Sequence, residues 1–477
     1  MEHNGDKKLG LLALTAMVVG SMIGAGIFSL PRTFGAATGV VGAVIAWTIA
    51  GTGMFMLARV FQTLAERKPD LDAGVFAYAK AGFGDYAGFL AAFGYWIATC
   101  IGNVSYWVLI KSTLGAFIPL FGDGNTIPAI FVASVGIWAF HFLILHGVQQ
   151  AAAINAVVTV AKIVPLLLAV LLLITAFDLD IFRANFWGGA GATATHTSLP
   201  EQVRQTMLVT VFVFLGIEGA SVYSRHARKR SHVGAATLIG FALVLCLLVL
   251  ITLLPYAVLT QGEIAQLRQP SLAGVLTAVV GRWGGWLVSL GLLISVLGAY
   301  LAWSLICAEV LYTASRNHDM PRAFGHKNAN GVPSVALWVS NGVVQCFVIS
   351  TYWSRDAFSL MLNLTSSMSL VPYLLVAAYA LSLARRGSED AAHVSRNRDI
   401  AIAGLALLYT AFMVLAGGMK YMLLAAMLYA PGTALYFWAR IEREQPVFAG
   451  RERMIFVAAC MAGMTAIVAL LAGWMRL

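Results

Sequence analysis

Gly20-Ser21-Met22-Ile23-Gly24-Ala25-Gly26-Ile27-Phe28-Ser29-Leu30-Pro31 lies inside the first long apolar run of the chain. An uninterrupted membrane helix has no use for residues that form helices so poorly. The glycines at 20, 24 and 26 each lower helix propensity by about 1 kcal/mol relative to Ala, and backbone groups freed inside a bilayer cannot turn to water. The stretch therefore predicts a broken helix whose freed groups face protein, a cavity or a ligand. A half-helix with its terminus there offers unpaired N–H groups and a partial positive charge, a natural seat for a substrate carboxylate.

A second stretch, Phe214-Leu215-Gly216-Ile217-Glu218-Gly219-Ala220-Ser221, interrupts the sixth apolar run in the same way. Paired breaks in corresponding helices of two halves mark a midplane binding site in inverted-repeat transporters. Close helix packing is the alternative, since Gly20 and Gly24 form a small-xxx-small pair. Packing accounts for those two but leaves Gly26, Gly216, Glu218 and Gly219 over.

The composition sets the class. Of 477 residues 60% are hydrophobic and 11% charged, with a mean hydropathy of +0.82. A soluble core cannot hide that much apolar side chain, so the chain is an integral membrane protein. The runs are long enough to span as helices and lack the alternation of a membrane barrel. They are expected near 9–33, 38–64, 86–111, 127–146, 150–176, 204–224, 234–259, 284–312, 333–352, 358–383, 400–416, 420–439 and 454–475. Five cysteines, Cys100, Cys246, Cys307, Cys346 and Cys460, all fall in these runs without C-x-x-C spacing, so neither a disulfide framework nor a metal site follows.

A net charge of +10 would suggest nucleic acid in a soluble protein, but here the basic residues gather in short connections. Arg67, Lys68, Lys80, Arg225, Arg228, Lys229, Arg230, Arg316, Arg322, Lys327, Arg385, Arg386, Arg396 and Arg398 occupy the even-numbered connections. This is the positive-inside pattern for a multi-pass protein of the cell inner (cytoplasmic) membrane with its N-terminus in the cytoplasm, and no nucleic-acid partner is expected. The lipid bilayer is the expected surrounding partner. Met1 to Lys8 and the following run read as a retained first helix rather than a cleaved signal.

Few residues within the spans carry chemistry. Glu218 is a carboxylate in the middle of a span, and intramembrane acids are costly. It is read as binding a cation or carrying a proton, with hydrogen bonding to unwound backbone as the structural alternative. Lys162 is the matching base in the fifth span; its ammonium suits the place of a bound sodium ion, bracing helices one and eight, or else lines a wet cavity. Ala98, Thr99 and Asn103 lie close to one face of the third span, where they can receive a substrate side chain or serve helix-helix hydrogen bonding. Trp303, mid-span in the eighth run, can hold a cation over its ring or simply pack. His141 and His146 share a helix face without an acid and read as structural. No H-E-x-x-H, G-x-S-x-G or nucleotide motif is present, so no enzyme, cofactor or metal is expected.

The two glycine stretches, together with Arg67-Lys68-Pro69-Asp70-Leu71-Asp72-Ala73-Gly74-Val75-Phe76-Ala77-Tyr78-Ala79-Lys80-Ala81-Gly82-Phe83-Gly84, resemble the amino acid, polyamine and organocation transporter superfamily. The resemblance covers about residues 9 to 440 and is nearest to the basic amino acid antiporters, notably the arginine-ornithine exchangers. It implies an all-α integral membrane fold of the LeuT type, a five-plus-five inverted repeat with discontinuous helices 1 and 6 and about 12 to 13 transmembrane helices. The expected organisation is a core over 1–440, with repeats at about 9–176 and 204–383 and two further helices over 400–439. Residues 441–477 then form a basic inner segment and a thirteenth helix.

Carried onto this sequence, the resemblance puts Gly24, Ala25 and Gly26 at the substrate carboxylate through backbone N–H groups. Met22, Phe214 and Ile217 then lie where carbonyls receive the amino group. Phe212 matches an aromatic gate, Trp303 the aromatic that stacks on a guanidinium, and Ala98, Thr99, Asn103 and Thr365-Ser366-Ser367, with Ser366 foremost, the distal pocket. Ser21 and Ala25 stand where some relatives carry Asn and Ser. Glu218 and Lys162 are the expected coupling residues, Lys162 as a sodium surrogate. The expected activity is exchange of a cationic amino acid, arginine first, for ornithine or a related cationic amino acid or amine by alternating access. Proton-coupled uptake of lysine or arginine, and arginine/agmatine or histidine/histamine exchange, stay as alternatives. Monomer and homodimer both remain open.

Overall fold

The computed structural model describes residues 10–68, 71, 74–147, 151–188, 197–217, 230–354, 356–386, 393–448, 450 and 452–475. Its helices, in chain order, are α1 (Leu11–Met22), α2 (Leu30–Gly35), α3 (Val40–Arg67), α4 (Val75–Phe83), α5 (Asp85–Gly115), α6 (Ile127–Leu145), α7 (Ala151–Thr175), α8 (Leu179–Ala184), α9 (Leu199–Phe214), α10 (Arg230–Leu253), α11 (Gln261–Gln266), α12 (Ser271–Val280), α13 (Arg282–Arg316), α14 (Ser334–Ser350), α15 (Ala357–Arg386), α16 (His393–Ala416), α17 (Gly418–Ile441) and α18 (Glu452–Leu471). Among the described residues ten helices are long and apolar enough to cross a membrane, or eleven when α1 and its continuation across a 48° bend count as one span. The fifth and sixth apolar runs are carried by α7 and α9. Each run read from the sequence overlaps a helix, the sixth only through its first part because residues 218–224 lie outside the described residues, and ten or eleven described spans stand against the 12 to 13 expected.

The described residues form two compact units, one drawn from 1–70, 155–206 and 210–295, the other from 71–154, 207–209 and 296–477. Each takes helices from both halves of the chain. In the first unit α1 and α3 pack on α10, while the short helices α11 and α12 pack on α2. Gln261 Nε2 donates to Gly35 O at 3.0 Å, and the Arg32 N–H donates to Ser271 Oγ at 3.1 Å. These bonds fix the second half of the first span, which its own broken ladder cannot do.

The second unit is built on α5. Of its apolar window 89% is buried, against 17% for α18, so α5 is central and α18 peripheral. Small residues on α5, Ala91, Ala92 and Ala98 among them, let neighbours approach closely, which is how helices associate where lipid is as apolar as leucine. α15 is its most extensive partner, with α4, α14, α6 and α17 completing the shell. The last helix is tied in at its start: Glu452 Oε1 accepts the Tyr86 N–H at 3.0 Å, at the N-terminus of α5. Phe448 and Phe456 stack at 5.1 Å beside Tyr86 and Tyr436.

Candidate functional site

In the first unit the glycine stretch breaks as its composition demands. α1 ends at Met22; Ile23 (φ −76°, ψ 99°) and Gly24 (φ −117°, ψ −155°) are extended; a 3-10 turn over Ala25–Ser29 then leads into α2. Gly24 brings no side chain to cap that turn, so its first N–H groups have no partner within it. Ala25 and Gly26 are buried there, as is Met22.

The sixth run breaks at the corresponding place. α9 ends at Phe214, Leu215 turns out of the helix, and Gly216 sits at φ +101°, where a side chain is strained. The Ile217 N–H closes the turn on Phe214 O at 3.1 Å. A Cβ on Gly216 would stand 2.7 Å from Ser21 O, and Ser21 Oγ donates to Gly216 O at 3.2 Å, so the two breaks touch through backbone. Gly26 is equally confined: its Cβ would stand 2.6 Å from Val213 Cγ1 and 2.8 Å from Phe212 Cδ1. The expectation that packing leaves Gly26 and Gly216 over is thereby corrected, because both are also steric necessities. Phe212, Phe214 and Ile217 are buried, Phe214 stacking on Phe241 at 5.2 Å. Glu218, the expected intramembrane acid, lies outside the described residues.

Lys162 packs against the first break. It is 2% exposed on α7, and its ammonium donates to Gly20 O and, at 3.0 Å, to Ile23 O. Gly20 lies in the last turn of α1 and Ile23 is its extended C-cap, so both carbonyls stand at the helix end, where partners are lacking and partial negative charge collects. A lysine costly to bury thus finds the one end of a helix that compensates it.

In the second unit the sequence-expected side-chain residues cluster around a cysteine that sequence reasoning passed over. Cys307 Sγ donates to Thr99 Oγ1 at 3.0 Å, receives Asn103 Nδ2 at 3.6 Å and lies 3.8 Å from Cys100 Sγ. Ala98 and Trp303 are buried as well. Ser366 is turned elsewhere: its hydroxyl donates to Leu208 O at 2.7 Å and Leu362 O at 3.0 Å. Thr365 Oγ1 likewise donates to Met361 O. The signal that would have found Cys307 is its spacing from Tyr300 and Ser304, polar positions on one face of an apolar helix.

A charged group gathered at helix ends was also missed. Lys80 Nζ meets Asp319 Oδ1 at 2.8 Å and Asp85 Oδ1 at 3.5 Å, and Arg440 Nη1 reaches Asp85 Oδ2 at 2.9 Å. Burial pushes the Asp319 carboxyl up to about 6, with Lys80 pulling against that shift. Residues this far apart in sequence give no pattern to read.

Two helices that end in glycine turns, one of them braced by a buried lysine, are what a membrane transport protein with a backbone-built site requires. Residues 9–437 match the amino acid permease family, and the chain belongs to that family. Its all-helical fold is accordingly of the LeuT type. The chain is 51% identical to the arginine/ornithine antiporter of Pseudomonas aeruginosa over the whole of both chains. It is 40% identical to the arginine/agmatine antiporter of Chlamydia caviae, over 95% of each chain. It is also 40% identical to the L-lysine transport protein of Corynebacterium glutamicum, over 99% of this chain and 97% of that one.

Proposed function

We propose that the chain is a membrane antiporter exchanging a cationic amino acid, arginine first, for ornithine or a related cationic amino acid or amine by alternating access. The observation that carries this reading is the backbone-built break at Ile23–Gly24, supported by full-length similarity to a named arginine/ornithine antiporter. Ala25 and Gly26 donate N–H groups to the substrate carboxylate, Gly24 leaving them room. Met22, Phe214 and Ile217 offer carbonyls to the amino group, and Phe212 gates. Thr99, Asn103, Ala98 and Trp303 read the side chain, with Ser366 contributing a lone pair of its hydroxyl oxygen, which only donates in its protein contacts. Lys162 takes the place of a sodium ion on α1, and Glu218 tunes cation recognition or proton linkage. The repeats span about 9–176 and 204–383, and the protein sits in the inner membrane with its N-terminus cytoplasmic.

Arginine and ornithine share one α-amino acid head, so identical backbone contacts serve both. One observation favours a second reading, uptake rather than exchange: the C. glutamicum relative is named a lysine transport protein. Counterflow into liposomes against a panel of labelled arginine, ornithine, lysine, histidine and agmatine tests the substrate class. Trapping of arginine and ornithine supports the proposal, and failure to trap any cationic amino acid overturns it.

A further inference from the structure

The hydrogen bonds around Cys307 in the second unit have a direction that is fixed from one end. Trp96 O is a carbonyl and only accepts, so the Thr99 hydroxyl, 2.7 Å away, spends its one hydrogen there. Thr99 Oγ1 then meets Cys307 Sγ at 3.0 Å as an acceptor, which obliges the thiol to donate. The sulfur has no hydrogen left to give. Toward Asn103, 3.6 Å away, it can only accept, so the amide must present Nδ2 to it rather than Oδ1. Toward Cys100, at 3.8 Å, it is an acceptor as well.

Thr99, Cys100, Asn103 and Cys307 are all buried, and hydrogen bonds in a low-dielectric interior reinforce one another along a chain. Thr99 and Asn103 stand one helical turn apart on α5, and Trp303 stands one turn before Cys307 on α13. The relay therefore runs between the groups to which reading of the substrate side chain is assigned above. It leaves both α5 groups with lone pairs to offer. Thr99 keeps one on its hydroxyl oxygen, and Asn103 has its carbonyl oxygen turned away from the sulfur. A guanidinium or ammonium carries only N–H donors and satisfies such lone pairs, whereas an uncharged side chain with a carbonyl sets oxygen against oxygen.

We infer that Cys307 is a positioning residue that holds Thr99 and Asn103 as hydrogen-bond acceptors and thereby makes the pocket select cationic, donor-only side chains over their uncharged isosteres. This selectivity rests on the side-chain role proposed above for Thr99 and Asn103. Cys307 acts through them without touching the substrate. A site whose polar groups are fixed in one sense rejects an analogue that leaves them unpaired far more strongly than an apolar wall rejects a change of size. With the thiol gone, the Asn103 amide is free to turn and offer N–H to a carbonyl.

Two measurements on the full-length protein test this. In infrared spectra the S–H stretch lies clear of other protein bands, and the band lost in Cys307→Ser belongs to Cys307. Thr99→Val removes the acceptor of that thiol, so the band should shift; a band that stays in place overturns the relay. In ornithine-loaded liposomes citrulline, which carries an oxygen where arginine has an N–H2 group, competes with labelled arginine for uptake. Cys307→Ala should lower the ratio of citrulline Ki to arginine KM about tenfold, the equivalent of about 1.4 kcal/mol. Cys307→Ser keeps a donor and an acceptor at the position and should hold the ratio near that of the unaltered protein. An unchanged ratio in Cys307→Ala, or an equal fall in both variants, each checked for folding by gel filtration and thermal unfolding, overturns the selectivity claim. If the unaltered protein takes up no arginine, the antiport reading fails and the selectivity claim falls with it, while the infrared band still decides whether the relay exists.

Discussion

Replacing Lys162 by Met keeps an unbranched apolar stem as far as the ε position and removes the ammonium. Two carbonyls at the end of α1, Gly20 O and Ile23 O, then lose their donor inside the protein. An unsatisfied buried acceptor costs about 1–3 kcal/mol, so the gross penalty is about 2–6 kcal/mol. Relief from burying an ammonium returns part of that, leaving a net loss of about 2–4 kcal/mol on these two principles. Thermal unfolding in detergent, followed by tryptophan fluorescence, measures it. The break should also loosen, so backbone amides over 20–29 should exchange hydrogen faster than in the unaltered protein. A loss inside the roughly 0.5 kcal/mol typical of neutral surface substitutions, with unchanged exchange at the break, would refute the bracing role.

Three further outcomes are expected. Gly216→Ala puts a Cβ at φ +101° and 2.7 Å from Ser21 O; strain and overpacking together should cost about 2–4 kcal/mol in thermal unfolding, and a neutral result would mean that the turn is not held against α1. Asp319 titrates at about 6 in the fold rather than its ordinary 3.8, so the folded state holds its proton more tightly and stability should fall as pH rises from about 4 to about 6. Asp319→Asn should flatten that fall, and an unchanged pH slope in unfolding experiments counts against it. Glu452→Ala removes the acceptor of the Tyr86 N–H at the start of α5; as loss of a helix N-terminal acceptor it should cost about 1 kcal/mol, and Glu452→Gln should cost less.

The breaks were legible because glycine-rich composition inside an apolar run has few physical readings. Position and cause both follow from Gly24 and Gly216, although the sequence did not reveal that Gly26 and Gly216 are also demanded by close packing against Phe212, Val213 and Ser21. Lys162 was legible as a buried base but not by its acceptors, since a helix C-terminus can be located only once the break is built. The partition into two units was hidden, because compactness joins helices distant in sequence. Cys307, Tyr300 and Ser304 escaped notice because weakly polar residues in an apolar helix look like packing until their partners are known. The turning of Ser366 toward Leu208 O depends on a tertiary contact that no local pattern encodes.

The central claim is exchange, and its sharpest consequence is electrical. Arginine and ornithine each carry one net positive charge, so one-for-one exchange moves no charge and the membrane potential neither drives nor opposes it. Liposomes holding the purified protein and loaded with ornithine should take up labelled arginine at a rate nearly unaltered when the potential is clamped at zero, while empty liposomes take up little. Accumulation of arginine by empty liposomes given only a proton gradient or an inside-negative potential would contradict obligate exchange and install uptake in its place.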